Sequence, residues 1–200
     1  LLAMVAVDRH RWTLAALLMA IATVLKLYPL AIGLLLAVAF PRRFAWRYGL
    51  LLVAACLLPF LFQQPRYVAA QYRLWLQYLM LDARHAAAVE QAPRDLFLLI
   101  RFWFGTPPEW TYRIVQLGSA GLIALYCARL QAAGDLKQRA KSPAAILHLG
   151  CLWMTVLGPS TESCTYTLLA STAAAMLVAG YVSGSRLLFG LAIAGYGLLI

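Results

Sequence analysis

Two short polar clusters interrupt a chain that is otherwise apolar. The first is Lys26-Leu27-Tyr28-Pro29, and the second is Gly158-Pro159-Ser160-Thr161-Glu162-Ser163-Cys164-Thr165-Tyr166. A lysine ammonium, joined by arginines such as Arg66, suits a phosphate or diphosphate group. The hydroxyls and the carboxylate of the second cluster suit a sugar. Both clusters would then line one polar cavity. Each also has a plainer role. Lys26 could snorkel from a helix end and only anchor it. Glu162, the one acidic residue after Asp135, could sit in the first turn of the next helix, where the dipole favours negative charge. Spacing alone leaves these readings open.

The elements that must position these residues follow from composition. The chain has 200 residues, 64% apolar and 12% charged, with a mean hydropathy of +0.77. A soluble domain is about half apolar and about a quarter charged. Such a surface cannot be covered with polar groups in water, so an integral protein of the cell membrane is expected, with the lipid bilayer as its solvent. The formal charge of +10 then orients helices and gives no sign of nucleic-acid binding. Cys56, Cys127, Cys151 and Cys164 lie in or beside apolar runs without metal-ligand spacing, so they read as small buried side chains and neither a disulfide nor a metal is expected of them; no cofactor is expected. The chain starts at Leu1 and stops at Ile200, both within apolar sequence. It reads as a single transmembrane domain, residues 1–200, forming the C-terminal part of a longer protein, and no signal peptide can be assigned.

The expected fold class is all-α: a polytopic transmembrane helix bundle with short paired helices and an interfacial helical external loop. Residues 12–25 and 28–40 are apolar, but the first covers only about 21 Å where a bilayer core needs about 30 Å. Basic residues flank both outer ends: Arg9 and Arg11 before the first, Arg42, Arg43 and Arg47 after the second. Both ends therefore belong in the cytoplasm, and the pair goes out and returns with 26–29 at its turn. The competing form is one Pro-kinked helix. Pro29 favours the turn by removing a donor and biasing Tyr28 away from the helical region. Lys26 then lies at the outer face, or in a wet cavity just below it, because a charge at the lipid-facing midplane is costly.

Residues 48–62 make the next outward span. Residues 66–109 form an external loop rich in arginine and aromatics. Within it, Tyr72, Trp75, Leu76 and Leu79 share one face of an interfacial helix, and Phe102, Trp103, Phe104 and Trp110 fit an aromatic belt. Residues 112–130 return inward. The stretch 131–143 reads as a cytoplasmic loop with Pro143 opening the next helix. Residues 144–157 run outward with His148 as a packed histidine, 158–166 form the outer turn, 167–182 return, and 187–200 leave again.

The stretch "WTLAALLMAIATVLKLYPLAIGLLLAVAFPRR" resembles glycosyltransferase family 87: a small-residue helix, a lysine, a proline, a second apolar helix and an arginine pair. "LGPSTESCTYTLLA" resembles a later turn of the same family. The resemblance covers most of the chain and implies a GT-C-like membrane hexosyltransferase. Such an enzyme takes a sugar, mannose-type here, from a polyprenyl-phosphate donor on the extracytoplasmic side. It passes the sugar to a glycolipid, polysaccharide or protein acceptor. The resemblance implies that Lys26 helps bind or neutralise the departing phosphate and that Glu162 and Tyr166 contact sugar or acceptor; Tyr28, Arg66 and Ser160 join them as expected substrate- or lipid-phosphate-binding residues. The catalytic base is implied upstream of residue 1, which would leave the fragment inactive alone. A multi-pass transporter or lipid flippase is the alternative, since it too carries broken helices and intramembrane charge. It would want its polar groups near the midplane. A non-catalytic scaffold would want none of them.

Overall fold

A computed structural model describes residues 1–80, 96–132, 136–158 and 167–197. Every regular element among them is helical. The chain forms two compact units: Leu1–Ala92 with Ala124–Ala144, and Pro93–Ile123 with Ala145–Ile200.

The first unit opens with α1 (Leu2–Asp8), α2 (Trp12–Leu25) and α3 (Pro29–Ala39). Lys26 stops α2 with an extended backbone, φ −151° and ψ 127°, and Pro29 occupies the first turn of α3, where its missing N–H costs nothing. The chain turns back on itself here. The rings of Trp12 and Phe40 lie 4.9 Å apart. One continuous helix would separate those residues by about 42 Å. The structure thus has the hairpin and not the kinked helix. Pro29 acts differently from expectation, however. Tyr28 is helical, with φ −55° and ψ −40°, and the backbone breaks at Lys26 instead. The pre-proline restriction is a preference, and here the Tyr28 carbonyl accepts from Ala31 N–H at 3.1 Å, which holds Tyr28 at the helix start.

After the hairpin, a π-helical turn (Pro41–Ala45) runs straight into α4 (Trp46–Leu57), and α5 (Pro59–Phe62) extends it. Together these make 22 residues of mean hydropathy 1.8 with 11% of the apolar window buried. That is long enough to cross a bilayer, and too exposed to be the core helix of a soluble protein. Hydropathy and charge alone start this span at residue 48. It begins at Pro41, so Arg42, Arg43 and Arg47 lie within its first turns instead of preceding it. Their long side chains allow this, because each can carry its charge back to the interface.

Tyr48 locks α4 to the hairpin. Thr23 donates its hydroxyl to the Met19 carbonyl at 2.8 Å, and the Tyr48 hydroxyl lies 2.8 Å from the same Thr23 oxygen. With the Thr23 proton engaged, Tyr48 is the donor. Gly33 leaves the space for the ring: a Cβ there would fall 2.4 Å from the Tyr48 oxygen. Ala15, Ala16 and Ala20 are buried on α2, the small residues that let membrane helices approach closely. Helix α6 (Pro65–Met80) folds back on α5. Tyr72 donates to the Cys56 carbonyl at 2.6 Å, its ring lies 5.9 Å from that of Phe60, and Val68 is buried. Trp75 and Leu76, on the predicted apolar face, stay exposed.

In the second unit, α7 (Leu96–Phe104) buries Phe97 edge-on against Tyr112 at 5.1 Å. Phe102, Trp103, Phe104 and Trp110 are exposed. Helix α8 (Glu109–Ala132) spans the boundary between the units. Residues 110–132 of it have hydropathy 1.2 with only 6% buried, the second membrane-length helix. Trp153 of α9 (Leu136–Val156) donates its indole N–H to the Ser119 hydroxyl at 3.0 Å and to the Gln116 carbonyl at 3.2 Å. His148 packs with Nδ1 at 3.2 Å from the Thr172 hydroxyl. Helices α10 (Thr167–Ser183) and α11 (Arg186–Gly197) form a hairpin at Gly184, whose φ of +64° suits a residue without Cβ.

Helix α9 (Leu136–Val156) carries Pro143 inside it, so the expected loop 131–143 is a correction. Lys137, Gln138, Arg139, Ala140 and Lys141 are strong helix formers. Their charges gave a side of the membrane and no reason for a loop. Gln131, near the end of α8, donates its amide to the buried Ser142 hydroxyl, which ties the two helices together beside the proline.

Candidate functional site

The candidate site is the apex of the α2–α3 hairpin. Its backbone is tied at both ends. Lys26 N–H donates to the Ala22 carbonyl at 2.9 Å, and Leu30 N–H donates to the Leu27 carbonyl at 3.0 Å. Between them Lys26 is exposed and Tyr28 half-buried. The Lys26 ammonium sits 5.4 Å from the centroid of the Tyr28 ring, within range of a cation–π contact. The lysine is thus held against an aromatic face at the hairpin apex.

Depth gives the apex its chemistry. Helix α2 has 14 residues, about 21 Å of rise. If its basic end lies at one interface, Lys26 stops well short of the other, because the hydrocarbon core is about 30 Å thick. An ammonium at that depth needs water, a counter-ion or an anionic ligand. Helix α4 starts where α3 ends and runs back alongside the hairpin, as Tyr48 against Gly33 and Thr23 shows. It therefore points the same way as α2, and the corner between α5 and α6 lies toward the apex end. Arg66 stands there, exposed in the first turn of α6.

Of the six site residues read from the sequence, Lys26 and Tyr28 are in contact. Arg66 makes no hydrogen bond or ion pair among the described residues. Ser160, Glu162 and Tyr166 lie outside the described residues. Thr23 and Tyr48, the buried hydroxyl pair beneath the apex, carry no sequence signal that singles them out together. A threonine three residues before Lys26 was the available signal, but its partner lies 25 residues away. Among the described residues no group of His, Cys, Asp and Glu could hold a metal ion. Cys56, Cys127 and Cys151 are free thiols.

Among the described residues two helices are long and apolar enough to cross a membrane, and both are largely unburied, as in a membrane protein. Residues 1–159 match the family model of glycosyltransferase family 87, and the chain belongs to that family. No curated protein and no solved structure matches it at a significant level.

Proposed function

We propose that this chain carries the donor-binding part of a GT-C-like, multi-pass membrane glycosyltransferase. The enzyme moves a mannose-type sugar from a polyprenyl-phosphate donor to a glycolipid, polysaccharide or protein acceptor at the extracytoplasmic face of the cell membrane. The observation that carries this reading is Lys26, an exposed ammonium held on Tyr28 at the apex of a hairpin too short to cross a bilayer. A phosphate whose lipid tail lies in the membrane meets such a cation without leaving the bilayer.

The reaction needs four things. The acceptor hydroxyl attacks the anomeric carbon, the bond from that carbon to the phosphate oxygen breaks, the phosphate takes its electron pair, and a base takes the hydroxyl proton. Lys26, with Arg66, neutralises the charge that grows on the departing phosphate, which lowers the barrier most where water is excluded. Tyr28 positions the ammonium. Ser160, Glu162 and Tyr166 hold sugar or acceptor, and a carboxylate acts as the base.

The test uses membranes carrying the full-length protein and two labelled donors. Label should pass from polyprenyl-phosphate mannose to a lipid or polymer product in the absence of any nucleotide sugar. Transfer from a nucleotide sugar alone would overturn the proposed donor.

A further inference from the structure

The opposite end of the same hairpin carries a second feature. Ala39, Phe40, Pro41, Arg42, Arg43 and Gln131 line an open cleft of about 390 Å³. That volume falls within the roughly 300–1,000 Å³ of small-molecule sites. We propose that this cleft binds the phosphate headgroup of an anionic membrane phospholipid, at a site separate from the Lys26 apex. The two ends are about 21 Å apart along α2, and the inference requires only that the chain spans a membrane.

Charge is the first argument. Arg42 and Arg43 are adjacent and exposed, and neither guanidinium has a carboxylate partner among the described residues. Two guanidinium forks beside one cavity match the oxygens of a phosphate, which accepts paired N–H donors. The second argument is preorganisation. The Arg43 guanidinium lies 5.8 Å from the Trp12 ring centroid, and Trp12 in turn packs on Phe40 at 4.9 Å. Arg47 donates to the Arg43 carbonyl, so the π-helical turn that bears both arginines is braced from below.

Level and lining decide between a lipid and a free ion. Pro41 is the first residue of the 22-residue membrane-length helix, so the cleft lies at the membrane–water boundary, where phospholipid phosphates stand. Ala39 and Phe40 give it an apolar wall continuous with the lipid-facing hairpin. A free phosphate has no use for that wall, whereas glycerol and acyl carbons do. Basic pockets between membrane helices hold anionic headgroups in this way.

The experiment is native mass spectrometry of the full-length protein purified in neutral detergent, titrated with phosphatidylglycerol or phosphatidylcholine. Phosphatidylglycerol should stay bound and phosphatidylcholine should not. The double variant Arg42→Gln/Arg43→Gln should retain about tenfold less of it or worse. If that variant does not fold, Arg42→Lys/Arg43→Lys keeps the charge but loses the forks, and it should still bind more weakly. An excess of inorganic phosphate should leave the lipid in place. Equal retention by the variants, equal retention of phosphatidylcholine, or full displacement by inorganic phosphate would each overturn the proposal.

Discussion

The two ends of the α2–α3 hairpin solve the problem of charge in a membrane in different ways. At the apex one lysine leans on one tyrosine, at the end of a helix too short to reach the far interface. At the other end two arginines flank an open cleft, one stacked over a tryptophan, at the start of a full-length span. Lysine is a compact point charge that three rotatable donors can turn toward a moving group, whereas arginine offers a rigid fork. A departing phosphate calls for the first and a resident headgroup for the second. On the proposed roles, the same hairpin carries a site suited to turnover and a site suited to anchorage.

The packing between the ends keeps them distinct, and three variants of decreasing effect sharpen the comparison. Phe44 follows the arginine pair in the π-helical turn, fully buried and stacked on Tyr48 at 5.2 Å. Phe44→Ala should cost about 3–5 kcal/mol of stability, seen as a large fall in melting temperature in detergent and a parallel loss of bound phosphatidylglycerol. Gly33 sits midway. Gly33→Ala puts a methyl group where the Tyr48 ring lies and should cost about 1–3 kcal/mol by overpacking, read by the same melting experiment. An unchanged midpoint would mean that Tyr48 moves aside freely and that the ends are not braced through it. Tyr48→Phe removes only the hydroxyl donated to Thr23. Hydrogen bonds between membrane helices average about 0.6 kcal/mol, so the shift should be small, and the double variant with Thr23→Val should show that the two changes are coupled.

Parts of this arrangement are legible in the sequence. Basic residues outside both short apolar runs require a hairpin, and the Trp12–Phe40 contact has the chain returning as the charges demand. Lys26 and Tyr28 could be singled out because a cation and a proline inside apolar sequence need a reason. The finer backbone was not legible. Pro29 points to a break at Tyr28, but the Tyr28 carbonyl accepts from Ala31 and the break falls at Lys26. The run 131–143 looked like a loop because its charges report a side of the membrane. Its residues are good helix formers, and α9 begins at Leu136. The arginine pair looked like a flank because charge was counted against the span, yet snorkelling side chains let a helix start at Pro41. The Thr23–Tyr48 bond and the cleft of Arg42, Arg43 and Gln131 join residues distant in sequence. No periodicity encodes such pairs; they appear only once the register of the hairpin is known.

The most direct test of the account is the transfer rate of Lys26→Ala in the full-length enzyme, with polyprenyl-phosphate mannose saturating and the amount of protein in the membrane measured alongside. A cation that stabilises the departing phosphate is worth on the order of tenfold or more in rate. At least that loss is expected with protein levels unchanged, and partial recovery in Lys26→Arg. Transfer at near the normal rate by Lys26→Ala would contradict it and leave the lysine as an anchor at the end of its helix.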